Sequence, residues 1–196
     1  MKVGLYGGTF DPIHIGHLLL AEWTRVKLNL NKIIFLPALI PPHKQDHAIT
    51  KPQSRLQMVQ LAIQENPYFQ ASDFEIEKGD ISYSIETILR FKELYHLSNR
   101  QLYFLVGADS IIDFPAWRAP DKILQNCRVV VYRRPNFDLL TAQTKYMSKV
   151  IQIDNPIIEI SSSDIRQRVS KGYSIKYLVP YCIEEFIFNN ALYKKM

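Results

Sequence analysis

The run GLYGGTFDPIHIGH, Gly4 to His17, places four glycines and two histidines in fourteen residues directly behind Met1, Lys2 and Val3. Gly7 and Gly8 permit a tight turn whose backbone N–H groups face a phosphate. His14 and His17 stand three residues apart at the start of a helical pattern, so their imidazoles share one face. A helix N-terminus is already an anion site, and two imidazoles beside it strengthen the case for phosphate. A purely structural role, one histidine capping and the other packing, would account for either ring alone. It accounts less well for a pair framed by Gly7-Gly8 and Gly16. Zinc is a third reading, because His43 and His47 form a second close pair, but no cysteine or H-E-x-x-H accompanies them. Neither G-x-x-x-x-G-K-[ST] nor G-x-G-x-x-G occurs here, which removes the two commonest phosphate loops.

A second run, ISSSDIRQR, covers Ile160 to Arg168. Ser161 can cap a helix while Asp164 reaches back, a capping-box pattern with Asp in the Glu position. That explains one serine of three and leaves Arg166, one turn in. Serine hydroxyls, free N–H groups and a guanidinium converging on one helix end make a cradle for phosphate oxygens. Arg168 fits a solvated surface position.

These residues must be carried by strands and helices in alternation. Apolar runs at Lys2–Tyr6, Lys32–Leu36, Phe69–Glu77, Gln101–Val106 and Arg128–Tyr132 predict strands, with one or two more between 149 and 160 (KVIQI and IIEI). Helical spacing predicts helices after Ile15, from about Pro52 to Gln64 with Thr50 as cap, and over Ser84–His96, Ser162–Ser170 and Pro180–Leu192. Between 38 and 50 lies a loop without period, ALIPPHKQDHAIT, of a length that is often functional. Nearly all-apolar strands alternating with helices imply an α/β fold: a doubly wound, mostly parallel sheet with helices on both faces. Ligands of such sheets bind beyond the carboxyl ends of the strands. The first strand runs into GGTFDPIHIGH, another into GADS (Gly107 to Ser110), and the last into SSSDIR.

The 196 residues suit a single domain, 1–196, and 47% hydrophobic with 22% charged content is ordinary for a globular protein. No stretch is long and apolar enough for a membrane helix, no leader pattern opens the chain, and Cys127 and Cys182 have no metal or redox spacing. A cytoplasmic protein is expected. A formal charge of +5 suits phosphorylated small molecules, while the lysines and arginines form no block that would favour nucleic acid. Homo-oligomerisation is left open.

GGTFDPIHIGH resembles the G-[ST]-F-D-P-x-H-x-G-H signature of the nucleotidylyltransferase superfamily, and ISSSDIR is similar to its second signature, I-S-S-[ST]-x-I-R. Within it the chain most resembles the bacterial nicotinate-mononucleotide adenylyltransferase family, through PALIPPHK (Pro37 to Lys44), GADSIIDFPAWR (Gly107 to Arg118) and YLVPYCIEEFIFNNALY near the end. The resemblance implies a Rossmann-like nucleotidylyltransferase fold. It also implies transfer of AMP from ATP to nicotinate mononucleotide, giving deamido-NAD and pyrophosphate, with Mg2+ bridging the triphosphate. On that resemblance His14 and His17 contact ATP phosphates, with His17 nearest the transfer centre. Gly8, Thr9 and Phe10 meet ATP through backbone, and Ser161, Ser162 and Arg166 hold its phosphates. Gly107 and Asp109 take the adenosine. Acceptor binding falls to Lys44, Thr87, Trp117 and Arg134: Trp117 to stack a pyridine ring, Thr87 to donate to the carboxylate, Lys44 and Arg134 to supply charge.

Three rivals are weighed. A phosphopantetheine adenylyltransferase shares the first signature, but PPHK and DFPAWR argue against it. An enzyme for nicotinamide mononucleotide differs by one charge on the acceptor. A binding module without catalysis would be signalled by loss of His14, His17 or Arg166, all of which are present.

Overall fold

The computed structural model describes residues 1–40, 49–133 and 145–194. Six strands form one sheet: β1 (Val3–Gly8), β2 (Lys32–Pro37), β3 (Phe69–Ala71), β4 (Leu102–Gly107), β5 (Arg128–Tyr132) and β6 (Ile151–Ile153). Their order is β3-β2-β1-β4-β5-β6 and every pairing is parallel. The sheet is wholly parallel among the described residues, and the four connections from β1 to β2, β2 to β3, β3 to β4 and β4 to β5 each cross over through one or more helices.

The helices are α1 (Ile15–Leu28), α2 (Pro52–Ile63), α3 (Phe74–Glu77), α4 (Ser84–Leu94), α5 (Ala108–Asp113), α6 (Pro120–Asn126), α7 (Ser162–Ser170) and α8 (Tyr181–Asn189). Two cores result, one on each face. On one, Tyr6, Phe35 and Val130 pack with residues of α1, α2, α7 and α8. On the other, Val3, Leu5, Phe104 and Val131 pack with Ile85, Ile88, Ile111 and Ile123 of α4, α5 and α6. Alternate side chains of the same apolar strands therefore feed both cores, which is why those runs lack polar positions.

Two local expectations are corrected, one strand is found where one or two were expected, and two helices are added. The strand expected over Phe69–Glu77 stops at Ala71, and Phe74–Glu77 turns into α3, its entry held by Phe74 N–H donating to the Ser72 hydroxyl at 3.2 Å. Of KVIQI and IIEI only Ile151–Ile153 joins the sheet. Pro156 offers no N–H to a ladder, and the residues after it line the site instead. Thr50 does not cap α2: Lys51 occupies the cap with Pro52 behind it, while the Thr50 peptide is tied elsewhere. Helices α5 and α6 break the segment between β4 and β5, where no helix was foreseen; α6 starts on Pro120, a residue suited to a first helical turn.

The strand order reverses between β1 and β4, where the connections leaving the two strands go to opposite faces of the sheet. Both strands end in glycine there, at Gly8 and Gly107. That switch point is where a doubly wound sheet opens a crevice.

Candidate active site

A cavity of about 860 Å³ occupies the switch point, walled by the ends of β1, β4 and β5, the head of α1 and the approach to α7. Gly8 meets the ring of Phe10 so closely that a Cβ there would lie 2.9 Å from it, so a side chain would push the turn apart. Phe10 itself adopts a left-handed conformation, φ 48°, and its ring is buried against Tyr6 and Phe35. The loop after β1 is thereby pinned from inside while its backbone lines the cavity.

His14 and His17 stand at the head of α1 with their rings stacked, centroids 3.7 Å apart. The backbone N–H of His14 donates to His17 Nδ1 at 3.2 Å. An Nδ1 that accepts a hydrogen bond carries no proton, so the neutral ring of His17 presents Nε2–H as its donor. Gly16 makes room for this pair, since a Cβ there would sit 3.1 Å from the His14 ring.

Residues 150 positions away close the other side. Ser161 caps α7, its hydroxyl accepting from Asp164 N–H at 3.1 Å. The reverse half of the expected box is absent, because the Asp164 carboxylate pairs with Arg168 Nε at 3.0 Å on the exposed face. The Ser162 hydroxyl donates to the Pro12 carbonyl at 2.9 Å, and Arg166 Nη1 donates to the Asp11 carbonyl at 2.7 Å. These two bonds join the C-terminal run to the N-terminal one.

Gly8, Thr9, Phe10, His14 and His17 all line the cavity, as do Gly107, Asp109, Ser161 and Ser162. Arg166 stands behind that wall on the Asp11 carbonyl and at 3.4 Å from the Ser163 hydroxyl. Trp117 lines the cavity as well. Its ring is set against Phe104 and Phe114, and its buried indole N–H has no partner among the described residues. A flat ring with a spare donor suits a planar polar ligand.

Thr87 is a correction. It is buried, and its hydroxyl donates to Glu75 Oε1 at 2.7 Å rather than facing the cavity. Glu75 lines the cavity in its place, and burial pushes its carboxyl above the ordinary range. Lys44 and Arg134 lie outside the described residues, as do His43 and His47. Among the described residues no group of three His, Cys, Asp or Glu could hold an ion.

Sequence reasoning missed Glu75 and Arg55. Arg55 is completely buried on α2 with Met58, Val59 and Ile63. The spacing of those residues places it on the apolar stripe, so a charged residue in register with a helix core was the available signal. Desolvation depresses its pKa, opposed by the charge of Asp11.

The fold and the joined motifs define a nucleotidyltransferase-type α/β protein. The cytidylyltransferase-like family model matches residues 5–168. A protein of Moorella thermoacetica named "Probable nicotinate-nucleotide adenylyltransferase" is 40% identical over 202 residues, covering 98% of this chain and 92% of its own. One of the same name from Dictyoglomus turgidum is 41% identical, covering 98% and 96%. The chain therefore belongs to the cytidylyltransferase-like family and, within it, stands with the nicotinate-nucleotide adenylyltransferases. The fold is shared with the Plasmodium falciparum nicotinic acid mononucleotide adenylyltransferase complexed with NaAD, at a TM-score of 0.78 and 21% identity, covering 98% of this chain and 97% of that one.

Proposed function

We propose that this protein transfers AMP from ATP to nicotinate mononucleotide, releasing pyrophosphate and deamido-NAD. The observation that carries the reading is the convergence of the His14–His17 stack, the head of α7 and Trp117 on one cavity at the switch point.

A phosphate oxygen of the acceptor attacks the α-phosphorus of ATP, and the bond to the bridging oxygen of the β-phosphate breaks. A phosphate monoester has a second pKa near 6, so it arrives ionised and no general base is needed. What remains is positioning and charge stabilisation. The Nε2–H of His17 is the donor to the charge that develops on the transferred phosphoryl group. His14 beside it, with Ser161, Ser162 and the remaining N–H groups of Arg166, receives the other phosphate oxygens. Gly8, Thr9 and Phe10 approach through backbone, and Gly107 and Asp109 take the adenosine. Magnesium enters as part of the MgATP substrate, held by the phosphate oxygens.

The pyridine ring of the acceptor stacks on Trp117, with Lys44 and Arg134 supplying charge. Thr87 contributes by holding Glu75 in place. No helix of the described residues is long and apolar enough to cross a membrane. A cytoplasmic setting fits an enzyme whose substrates are phosphorylated metabolites.

Pyrophosphate release from MgATP, with nicotinate mononucleotide, nicotinamide mononucleotide or phosphopantetheine offered in parallel, tests the reading. Turnover with the nicotinate compound alone is expected. Preference for another acceptor refutes the acceptor half, and no turnover with any refutes catalysis.

A further inference from the structure

Arg55 makes three hydrogen bonds, each to a backbone carbonyl, and each from a different nitrogen. Nη1 donates to Thr9 at 2.7 Å, Nε to Thr50 at 2.9 Å and Nη2 to Leu39 at 3.3 Å. Thr9 belongs to the loop after β1 that lines the cavity. Leu39 and Thr50 stand at the two ends of the segment between β2 and α2. Their other peptide groups are held by side chains as well. The Leu39 N–H donates to the Ser82 hydroxyl at 3.0 Å, and the Thr50 N–H to Asp11 Oδ2 at 3.2 Å. The second oxygen of Asp11 accepts from the Tyr193 hydroxyl at 2.6 Å. Ser82 in turn hydrogen-bonds Glu75, which Thr87 also holds.

A fully buried guanidinium is an expensive way to hold three carbonyls, since a charge taken from water loses its hydration. An apolar residue would serve α2 better if packing were all that Arg55 supplied. Its planar fork fixes three directions at once, which a lysine ammonium does not.

We propose that Arg55 is a positioning residue that sets the nucleotide-binding loop at Thr9 and both ends of the 40–49 segment against each other, so that the two substrates meet in register. This rests on the function proposed above. The guanidinium touches no substrate. It acts through the Thr9, Leu39 and Thr50 peptides, and the chain Leu39–Ser82–Glu75 extends its reach to the acceptor side of the cavity.

Arg55→Lys and Arg55→Met, each checked by far-UV circular dichroism and thermal melting, test it through the KM of ATP and of nicotinate mononucleotide measured separately. Both variants are expected to fold, with both KM values raised together. A loss of kcat/KM on the order of 10–100-fold is expected, because small displacements remote from the chemistry carry penalties of that size. The lysine variant should keep part of what methionine loses. A merely structural role would lower the melting temperature and leave both KM values in place. KM values within about twofold of the parent overturn the proposal, and so does failure of both variants to fold, which would make Arg55 a requirement of the fold. If the parent itself turns over none of the acceptors, the proposed function is what fails. Binding of a non-hydrolysable ATP analogue to the three proteins then decides on Arg55: weaker binding in both variants supports it, and equal binding overturns it.

Discussion

Replacing His17 by alanine separates chemistry from architecture. The imidazole makes several contacts in the folded protein: Nδ1 accepts the His14 N–H at 3.2 Å, the ring stacks on His14 with centroids 3.7 Å apart, and it meets the rings of Phe10 and Tyr6 edge-on at 5.1 and 6.2 Å. The first is a helix-start hydrogen bond, and losing such a cap costs about 1 kcal/mol. The ring contacts with His14, Phe10 and Tyr6 are lost as well, so that figure is a lower bound. For a chain of this size about 1 kcal/mol lowers the melting temperature by roughly 2–4 °C. The catalytic loss is far larger. Removing one preorganised donor aimed at developing charge costs about 10²–10³ in turnover, or about 3–4 kcal/mol of transition-state stabilisation. Pyrophosphate release and thermal melting of the same preparation read the two quantities side by side. His17→Asn adds a control: its carbonyl oxygen can accept from the His14 N–H, while its amide ends short of the Nε2 position. Part of the stability should return, through the restored hydrogen bond, and turnover should not. If His17→Ala turns over within about tenfold of the parent, below the range a lost donor of this kind produces, the role given to Nε2–H is wrong.

Gly16→Ala would place a Cβ 3.1 Å from the His14 ring on a helix that intrinsically prefers alanine. Turnover should fall by about tenfold or more as the imidazole is displaced, with the melting temperature unchanged or raised; unchanged turnover would show that the ring has room to move. Glu75→Gln tests the buried carboxyl, whose folded-state pKa is raised above its usual 4.5, chiefly by burial. Such a group contributes stability that is complete below its unfolded pKa and is lost as pH rises through the folded value, so the stability of the parent relative to the variant should fall as pH rises above the usual 4.5, and a flat difference by thermal melting would refute the shift.

The sheet was legible because each of its longer strands is an apolar run that ends at glycine, proline or a charged residue. The shorter elements were not. Phe69 to Glu77 alternates like a strand, yet Ser72 and Asp73 offer the backbone a turn, and α3 forms where Glu75 can be buried against Thr87. Thr87 looked like a free hydroxyl near a helix start because its partner lies twelve residues back on an element that propensity hides. The histidines and serines were legible because glycine, proline and histidine at close spacing have few structural uses. Arg55 was not, although its place on the apolar stripe of α2 was visible. Nothing local says that three carbonyls from separate segments will converge on it.

The two signature runs depend on each other in a way that neither shows alone. The hydroxyl of Ser162 and the guanidinium of Arg166 spend hydrogen bonds on the Pro12 and Asp11 carbonyls, groups with no charge and no chemistry of their own. Those bonds fix the distance between the head of α1 and the head of α7, the two helix starts that line the cavity. Arg166 has five donors and uses one on Asp11 and one, at 3.4 Å, on Ser163, which leaves N–H groups for a triphosphate while its orientation is already set. Asp11 is gripped from several sides. Its carbonyl accepts from Arg166, while its carboxylate accepts from Thr50 and Tyr193. The acidic residue in the middle of GGTFDPIHIGH is therefore an anchor for Arg166. Both of its oxygens are turned to the protein side, where the buried guanidinium of Arg55 also feels its charge, so the aspartate in this loop is oriented by the fold.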